Sequence, residues 1–175
     1  MENYYEHLIA PNGNHDFAKY IISMLDDLNY GLVRMKINGK KVSNIQIMAE
    51  NDQHTLSFED CEILNEVIIE YLEKNEKLFK DYSLEISSPG IDGPLTTQKD
   101  FNTWSNNFVQ IKLNSDKDFP KKFKAKLLGF SENKIKIFIE NESDLKGEYN
   151  LDPLMIKEVI LSWVEKDPPK PNLIS

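Results

Sequence analysis

The sequence predicts an α+β protein in two parts: an α/β layer ordered helix, hairpin, helix, strand, then a small β-barrel or sandwich. Three observations carry this prediction. Apolar residues recur at helical spacing over 17–29 and again over roughly 58–76. From residue 108 onward the apolar residues instead alternate with polar ones in short runs separated by turn-rich segments. Between the two patterns lies "SSPGIDGPL" (87–95), where a Pro-Gly pair and a Gly-Pro pair fall within six residues.

Taken in order, residues 1–15 read as a flexible N-terminal arm with turn residues Pro11, Asn12, Gly13 and Asn14. Asp16 is placed to cap a helix carrying Phe17, Ile21, Met24, Leu25 and Leu28, and Asn29-Tyr30-Gly31 ends it. In "LVRMKINGKKVSNIQIMAE", Val33, Met35 and Ile37 alternate with Arg34 and Lys36. After Asn38-Gly39, a strong hairpin signal, Ser43, Ile45, Ile47 and Ala49 alternate again. Ser57 followed by Asp60 resembles a capping box opening a helix with Cys61, Leu64, Val67, Ile68, Tyr71 and Leu72 along one side. Tyr82, Leu84 and Ile86 mark a third strand, so the α/β domain spans 16–88.

The second part, 98–165, is read as strands. "FVQIKLN" (108–114), "KFKAKLLGF" (122–130) and "KIKIFIE" (134–140) each alternate, and shorter runs follow near 149–151 and 159–163. Gly129 suggests a bend or bulge. The Pro-rich end, 166–175, is expected not to pack.

Between the domains, 89–97 reads as a joint. Pro89-Gly90 suits the centre of a type II turn. Ser87 and Ser88 are positioned to bond the turn backbone. Pro94 biases Gly93 toward extended geometry, and Ile91 and Leu95 flank Asp92 as apolar anchors. A phosphate-cradling loop is the competing reading, but the sequence has no GxxxxGK[ST] motif.

Composition bounds the function classes. Apolar residues at 40 % and charged residues at 29 % are ordinary globular values and argue against global disorder. The apolar runs fall far short of the ~18 residues that span a bilayer, and "MENYYEHLIAPNG" lacks the features of a secretory signal, so a cytoplasmic protein with no membrane partner is expected. The lone Cys61 fits a reducing compartment. A net charge of −8 argues against indiscriminate nucleic-acid coating. The charge is unevenly spread, however: residues 1–90 hold 16 acidic and 8 basic side chains, whereas 91–175 hold 13 of each.

No catalytic constellation stands out. His7, His15 and His54 are scattered without metal-ligand spacing, and one cysteine makes no zinc set. Carboxylates at Asp26-Asp27 and at Glu59, Asp60 and Glu62 sit on predicted helix surfaces, where a solvated face is the plainer account. The serines lack an activated-nucleophile motif, and Cys61 reads as a small buried hydrophobe. No enzyme, cofactor, metal or small-molecule substrate is expected.

A lysine face is the more informative feature. Lys122, Lys124 and Lys126 project opposite Phe123, Ala125 and Leu127, while Lys134, Lys136 and Phe138 project opposite Ile135, Ile137 and Ile139. If the two strands pair, five lysines and an exposed phenylalanine share one surface suited to phosphates, with an aromatic available for stacking. A solubilising outer face produces the same pattern. The helix over 58–76 is acidic, which suits either a basic protein partner or plain solvation.

"LEISSPGIDGPL", followed by "DF" and an alternating strand, resembles the signature of the bacterial ribosome maturation factor family RimP. "LNYGLVRMKI", "IQIMAE" and "SFEDCEILNEVIIEYLE" are similar to the family's first domain in the same order, and residues 100–163 to its second. The resemblance implies an N-terminal α/β domain and a C-terminal Sm-like, SH3-type barrel. It also implies a non-enzymatic cytoplasmic assembly factor that binds the precursor of the small (30S) ribosomal subunit through a ribosomal protein or ribosomal RNA; a monomer is expected. The residues carrying the signature here are Ser87, Ser88, Pro89, Gly90, Ile91, Asp92 and Pro94. Two positions depart from the pattern: Gly93 stands where the family usually has arginine, and Asn107 where a glycine is common. The alternative from a different class is a free-standing Sm-like RNA-binding protein acting on small RNAs.

Overall fold

A computed structural model of the chain describes residues 4–140, 144–163 and 169–172. It divides into two units, Ile9–Pro89 and a second formed by residues up to Leu8 together with Gly90 onward. The chain therefore passes between units twice, at Leu8–Ile9 and at Pro89–Gly90.

In the first unit, α2 (His15–Asp27) precedes β1 (Gly31–Asn38) and β2 (Ser43–Glu50), α3 (Phe58–Lys74) comes next, and β3 (Tyr82–Ser87) closes the unit. β1 and β2 are antiparallel, and β3 runs parallel to β2, giving the order β1-β2-β3. A parallel pair needs a crossover, and α3 supplies it. Alternate residues of β2, Ile45, Ile47 and Ala49, are buried with Ile21, Leu25, Leu64 and Ile68 from the two helices. Phe17 of α2 stacks on Tyr71 of α3 at 6.3 Å between ring centroids. The Ser57–Asp60 capping box forms, with Asp60 N–H donating to Ser57 Oγ at 3.1 Å and Ser57 N–H to Asp60 Oδ2 at 2.8 Å. α2 starts two residues earlier than read from the sequence, and its N-cap is Asn14 in a left-handed conformation, not Asp16.

The second unit contains α4 (Gln98–Thr103) and five strands: β4 (Phe108–Leu113), β5 (Lys122–Ser131), β6 (Lys134–Ile139), β7 (Gly147–Leu151) and β8 (Ile156–Leu161). All pairs are antiparallel, in the order β7-β6-β5-β4-β8. Apolar residues alternate inward along every strand and surround one core with Leu95 and Phe101. β7 and β8 are the two edges, and no ladder joins them among the described residues. The structure is thus α+β with two sheets. Short α4 was not anticipated, although Thr97 and Asp100 form a second capping box.

Two segments differ from expectation. The N-terminal segment is held from Tyr4 onward: Tyr5 N–H donates to the Thr96 carbonyl at 3.2 Å, its ring lies 6.5 Å from that of Phe101, and a short helix, α1 (Glu6–Ile9), comes directly after it. Leu8 joins the second unit's core, and Asn12 Nδ2 donates to Asn38 Oδ1 at 2.7 Å within the first unit. The described part of the C-terminal segment also packs. Asn107 Nδ2 donates to the Lys170 carbonyl at 2.8 Å and Asn107 Oδ1 accepts Lys170 N–H at 2.9 Å, while Asn172 Nδ2 donates to Ser105 Oγ at 2.7 Å. The rest of the Pro-rich end, 166–168 and 173–175, lies outside the described residues.

At the joint, Gly90 takes a φ of 74°, which glycine accepts without steric cost. The turn itself falls at Ile91-Asp92, two residues beyond the Pro89-Gly90 centre expected. Among the described residues, neither the Ser87 nor the Ser88 hydroxyl bonds the turn backbone. From Gly93 the chain bonds within the second unit: Leu161 N–H donates to the Gly93 carbonyl at 3.1 Å and Leu95 N–H to the Val159 carbonyl at 2.9 Å. Leu95 is buried as an anchor, whereas Ile91 is 49 % exposed.

Candidate nucleic-acid interface

β5 and β6 pair, with Lys126 opposite Phe138, Gly129 opposite Lys136 and Ser131 opposite Lys134. On the other side of β5, Phe108 lies opposite Lys126, Gln110 opposite Lys124 and Lys112 opposite Lys122. Directly opposed side chains on one face of a sheet approach within about 5 Å at Cβ. The outward face is therefore a stripe running along β5, with Lys112 and Lys122 at one end and Lys134 and Lys136 at the other. Lys126 sits in the middle between Phe108 and Phe138. At about 3.3 Å per residue the stripe runs up to about 30 Å.

The lysines are not equivalent. Lys122 and Lys124 are exposed, Lys126, Lys134 and Lys136 are half-buried, and Phe138 is half-buried where exposure was expected. Lys112 Nζ lies 2.7 Å from Glu158 Oε2, and Lys134 Nζ lies 3.3 Å from Asp152 Oδ2. Asp152 is held below the ordinary carboxylate range first by the Leu154 N–H and then by Lys134, and burial opposes both. Within the stripe, Lys122, Lys124, Lys126 and Lys136 are the lysines with no carboxylate beside them among the described residues.

Pairing explains why two members were overlooked. Phe108 and Lys112 occupy the polar face of β4, legible as the alternation in "FVQIKL", but only the register brings that strand beside β5. Conversely, the bulge between Leu127 and Gly129 shifts Lys136 opposite a glycine, so the lysines of β5 and β6 do not alternate in one compact block.

The remaining chemistry-bearing residues have structural roles. His7 Nε2 is 3.0 Å from the Pro153 carbonyl, and His54 Nδ1 is 2.8 Å from Glu50 Oε1, so two of the three histidines are anchored instead of loosely exposed. Cys61 is half-buried, not fully buried, and burial followed by the charge of Asp60 pushes its thiol up, disfavouring the thiolate. Among the described residues no group of three His, Cys, Asp or Glu side chains is arranged to hold a metal. No helix among them is long and apolar enough to cross a membrane.

The joint residues Ser87 to Asp92 close the segment that matches a known family. The model of the RimP N-terminal domain matches residues 20–92, from within α2 through β3 to the turn, and leaves the lysine stripe beyond its limits. Over that segment, 73 of the 175 residues, the chain is similar to the RimP N-terminal domain.

Proposed function

We propose that this protein is a non-enzymatic factor for maturation of the small (30S) ribosomal subunit, acting in the cytoplasm as a monomer on the immature particle. The match over residues 20–92 to the RimP N-terminal domain is the observation that carries this reading. In it, residues 16–88 form one working domain and 98–165 a second, an Sm-like or SH3-type barrel, with 89–97 as the joint. The order β7-β6-β5-β4-β8 and the single enclosed core support the barrel reading. Lys122, Lys124, Lys126, Lys134, Lys136 and Phe138 serve as the contact face for ribosomal RNA or a neighbouring ribosomal protein. The first domain makes a separate contact, and two contacts of modest strength add through effective concentration.

Co-sedimentation with immature small subunits, mature small subunits and large subunits tests the proposal. Preferential pelleting with immature small subunits is expected. A variant with all five lysines changed to glutamine should lose most of that pelleting at moderate salt. Equal binding to all particles, or to none, would overturn the assembly-factor reading; unchanged binding by the variant would remove the lysine face from it.

A further inference from the structure

The first unit carries a second surface that the lysine stripe does not involve. β3 is an edge strand of the three-stranded sheet, paired among the described residues with β2 alone. Ser43 N–H donates to the Asp81 carbonyl at 2.9 Å, with Ser43 opposite Tyr82. In a parallel ladder this phase turns the N–H and C=O groups of Ser83, Glu85 and Ser87 toward β2 and those of Leu84 and Ile86 outward. Neither Leu84 nor Ile86 has another backbone partner among the described residues. The opposite edge is blunted: β1 has a bulge between Leu32 and Arg34 and carries Arg34 and Lys36. β3 has no bulge, no proline and no cation, and its one charged side chain is Glu85.

Beside that edge, between β3 and the first half of α3, lies a groove of about 440 Å³ lined by Phe58, Cys61, Glu62, Asn65, Glu66 and Ile86. Phe58 is 73 % exposed, a large apolar ring left uncovered at its mouth. Glu62 and Glu66 are exposed on its helix side, and Glu85 is exposed on the opposite face of β3. A strand added to β3 would place alternate side chains over the groove, beside Ile86 and Phe58, and the others beside Glu85. That pattern selects apolar residues alternating with basic ones.

We propose that the groove between α3 and β3 is a docking site for a basic, extended segment of another protein, which adds as a fourth strand to β3. Backbone bonds to Leu84 and Ile86 supply the affinity. Phe58, Cys61 and Ile86 receive its apolar side chains, Glu85 faces its basic ones, and Glu62 and Glu66 add a longer-range negative field from the helix side of the groove. This site is independent of the assembly-factor reading and of the lysine face.

The test uses the full chain labelled with ¹⁵N and three acetylated, amidated peptides: (Lys-Val)₄, (Glu-Val)₄ and the block sequence Lys₄Val₄. Titration with (Lys-Val)₄ should shift amide resonances of β3 and the first half of α3, and should slow hydrogen exchange at Leu84 and Ile86 at least tenfold at saturation. Glu85→Gln, at an exposed position, should weaken Kd by about tenfold, equivalent to ~1.4 kcal/mol, and Glu62→Gln/Glu66→Gln by less. Phe58→Ala should weaken it by a comparable factor, while the five-lysine glutamine variant should bind unchanged. Equal binding of (Glu-Val)₄ or Lys₄Val₄, shifts spread over the second unit, or unaltered exchange at Leu84 and Ile86 would overturn the proposal. Concentration-dependent protection of the same amides without peptide would assign the edge to a second copy of this chain and overturn it as well.

Discussion

Asp60 ties two separate parts of the first unit together. It accepts from the Ser57 N–H that it caps and from the hydroxyl of Tyr30, thirty residues earlier. The Tyr30 bond, then those to Ser57, hold Asp60 below its ordinary value of 3.8, while the same bond, ahead of burial, raises Tyr30 above 10.0. The signs set the pH window. A depressed carboxylate contributes stability that is complete above 3.8 and is lost as pH falls through its folded value; a raised phenol contributes stability that is complete below 10.0 and is lost as pH rises through its folded value. Tyr30→Phe should therefore lower the urea midpoint by a constant amount over roughly pH 5 to 9. That difference should shrink in acid and again in strong base. A pH-independent difference would show that the ring's packing, not the hydrogen bond, is what the phenol contributes. The Ser57–Asp60 pair was legible because a capping box is a three-residue spacing. Tyr30 was not, because its partnership depends on how β1 and α3 meet. Asn107 shows the same limit. As a departure from the family's usual glycine it was visible in the sequence, but its amide bonds on both sides of Lys170 were not.

Among the elements, the hairpin, both long helices and the three central strands of the second unit were readable within a few residues, since each buries one face at a fixed period. Pairing was less accessible. Nothing local tells β3 to run parallel to β2, or β8 to return beside β4, because those choices satisfy cores assembled from distant segments. α4 was readable in principle from Thr97 and Asp100, but its six residues carry no periodic pattern. Gly129 links the two levels. The glycine suggested a bulge, and the register shifts between Leu127 and Gly129, where φ reaches 134°. A Cβ there would sit 3.1 Å from Asn102 Oδ1, the atom that accepts the Phe130 N–H at 2.8 Å. Gly129→Ala should thus cost on the order of 1–3 kcal/mol from backbone strain, with loss of the Asn102 bond inside the same figure. Thermal unfolding followed by near-UV circular dichroism would check this. A Tm within a degree of the parent would mean that the bulge relaxes without penalty.

For the whole molecule, charge is the property that connects sequence to behaviour. The segment Ile9–Pro89 carries 14 acidic and 8 basic residues, a net of 8 − 14 = −6, while residues 117–136 hold seven lysines against two acids. A chain of net charge −8 can attract RNA only through a local field, made by cations not already satisfied within the protein. Lys122, Lys124, Lys126 and Lys136 meet this condition among the described residues, whereas Lys134 is paired with Asp152 and Lys112 with Glu158. Each phosphate neutralised on a single strand adds about 0.7 to the magnitude of the slope of log K against log salt. Changing the four unpaired lysines to glutamine should therefore make the slope shallower by up to about 3, measured by anisotropy with a labelled uridine oligomer between roughly 50 and 200 mM salt. Lys134→Gln alone should change the slope by less than Lys124→Gln, because Asp152 already neutralises part of its charge before RNA arrives. Equal effects from the two single variants would show that the ion pair opens freely and that the stripe acts as an undifferentiated cloud of charge. A slope unchanged in the fourfold variant would separate the outer face of β5 and β6 from nucleic acid altogether.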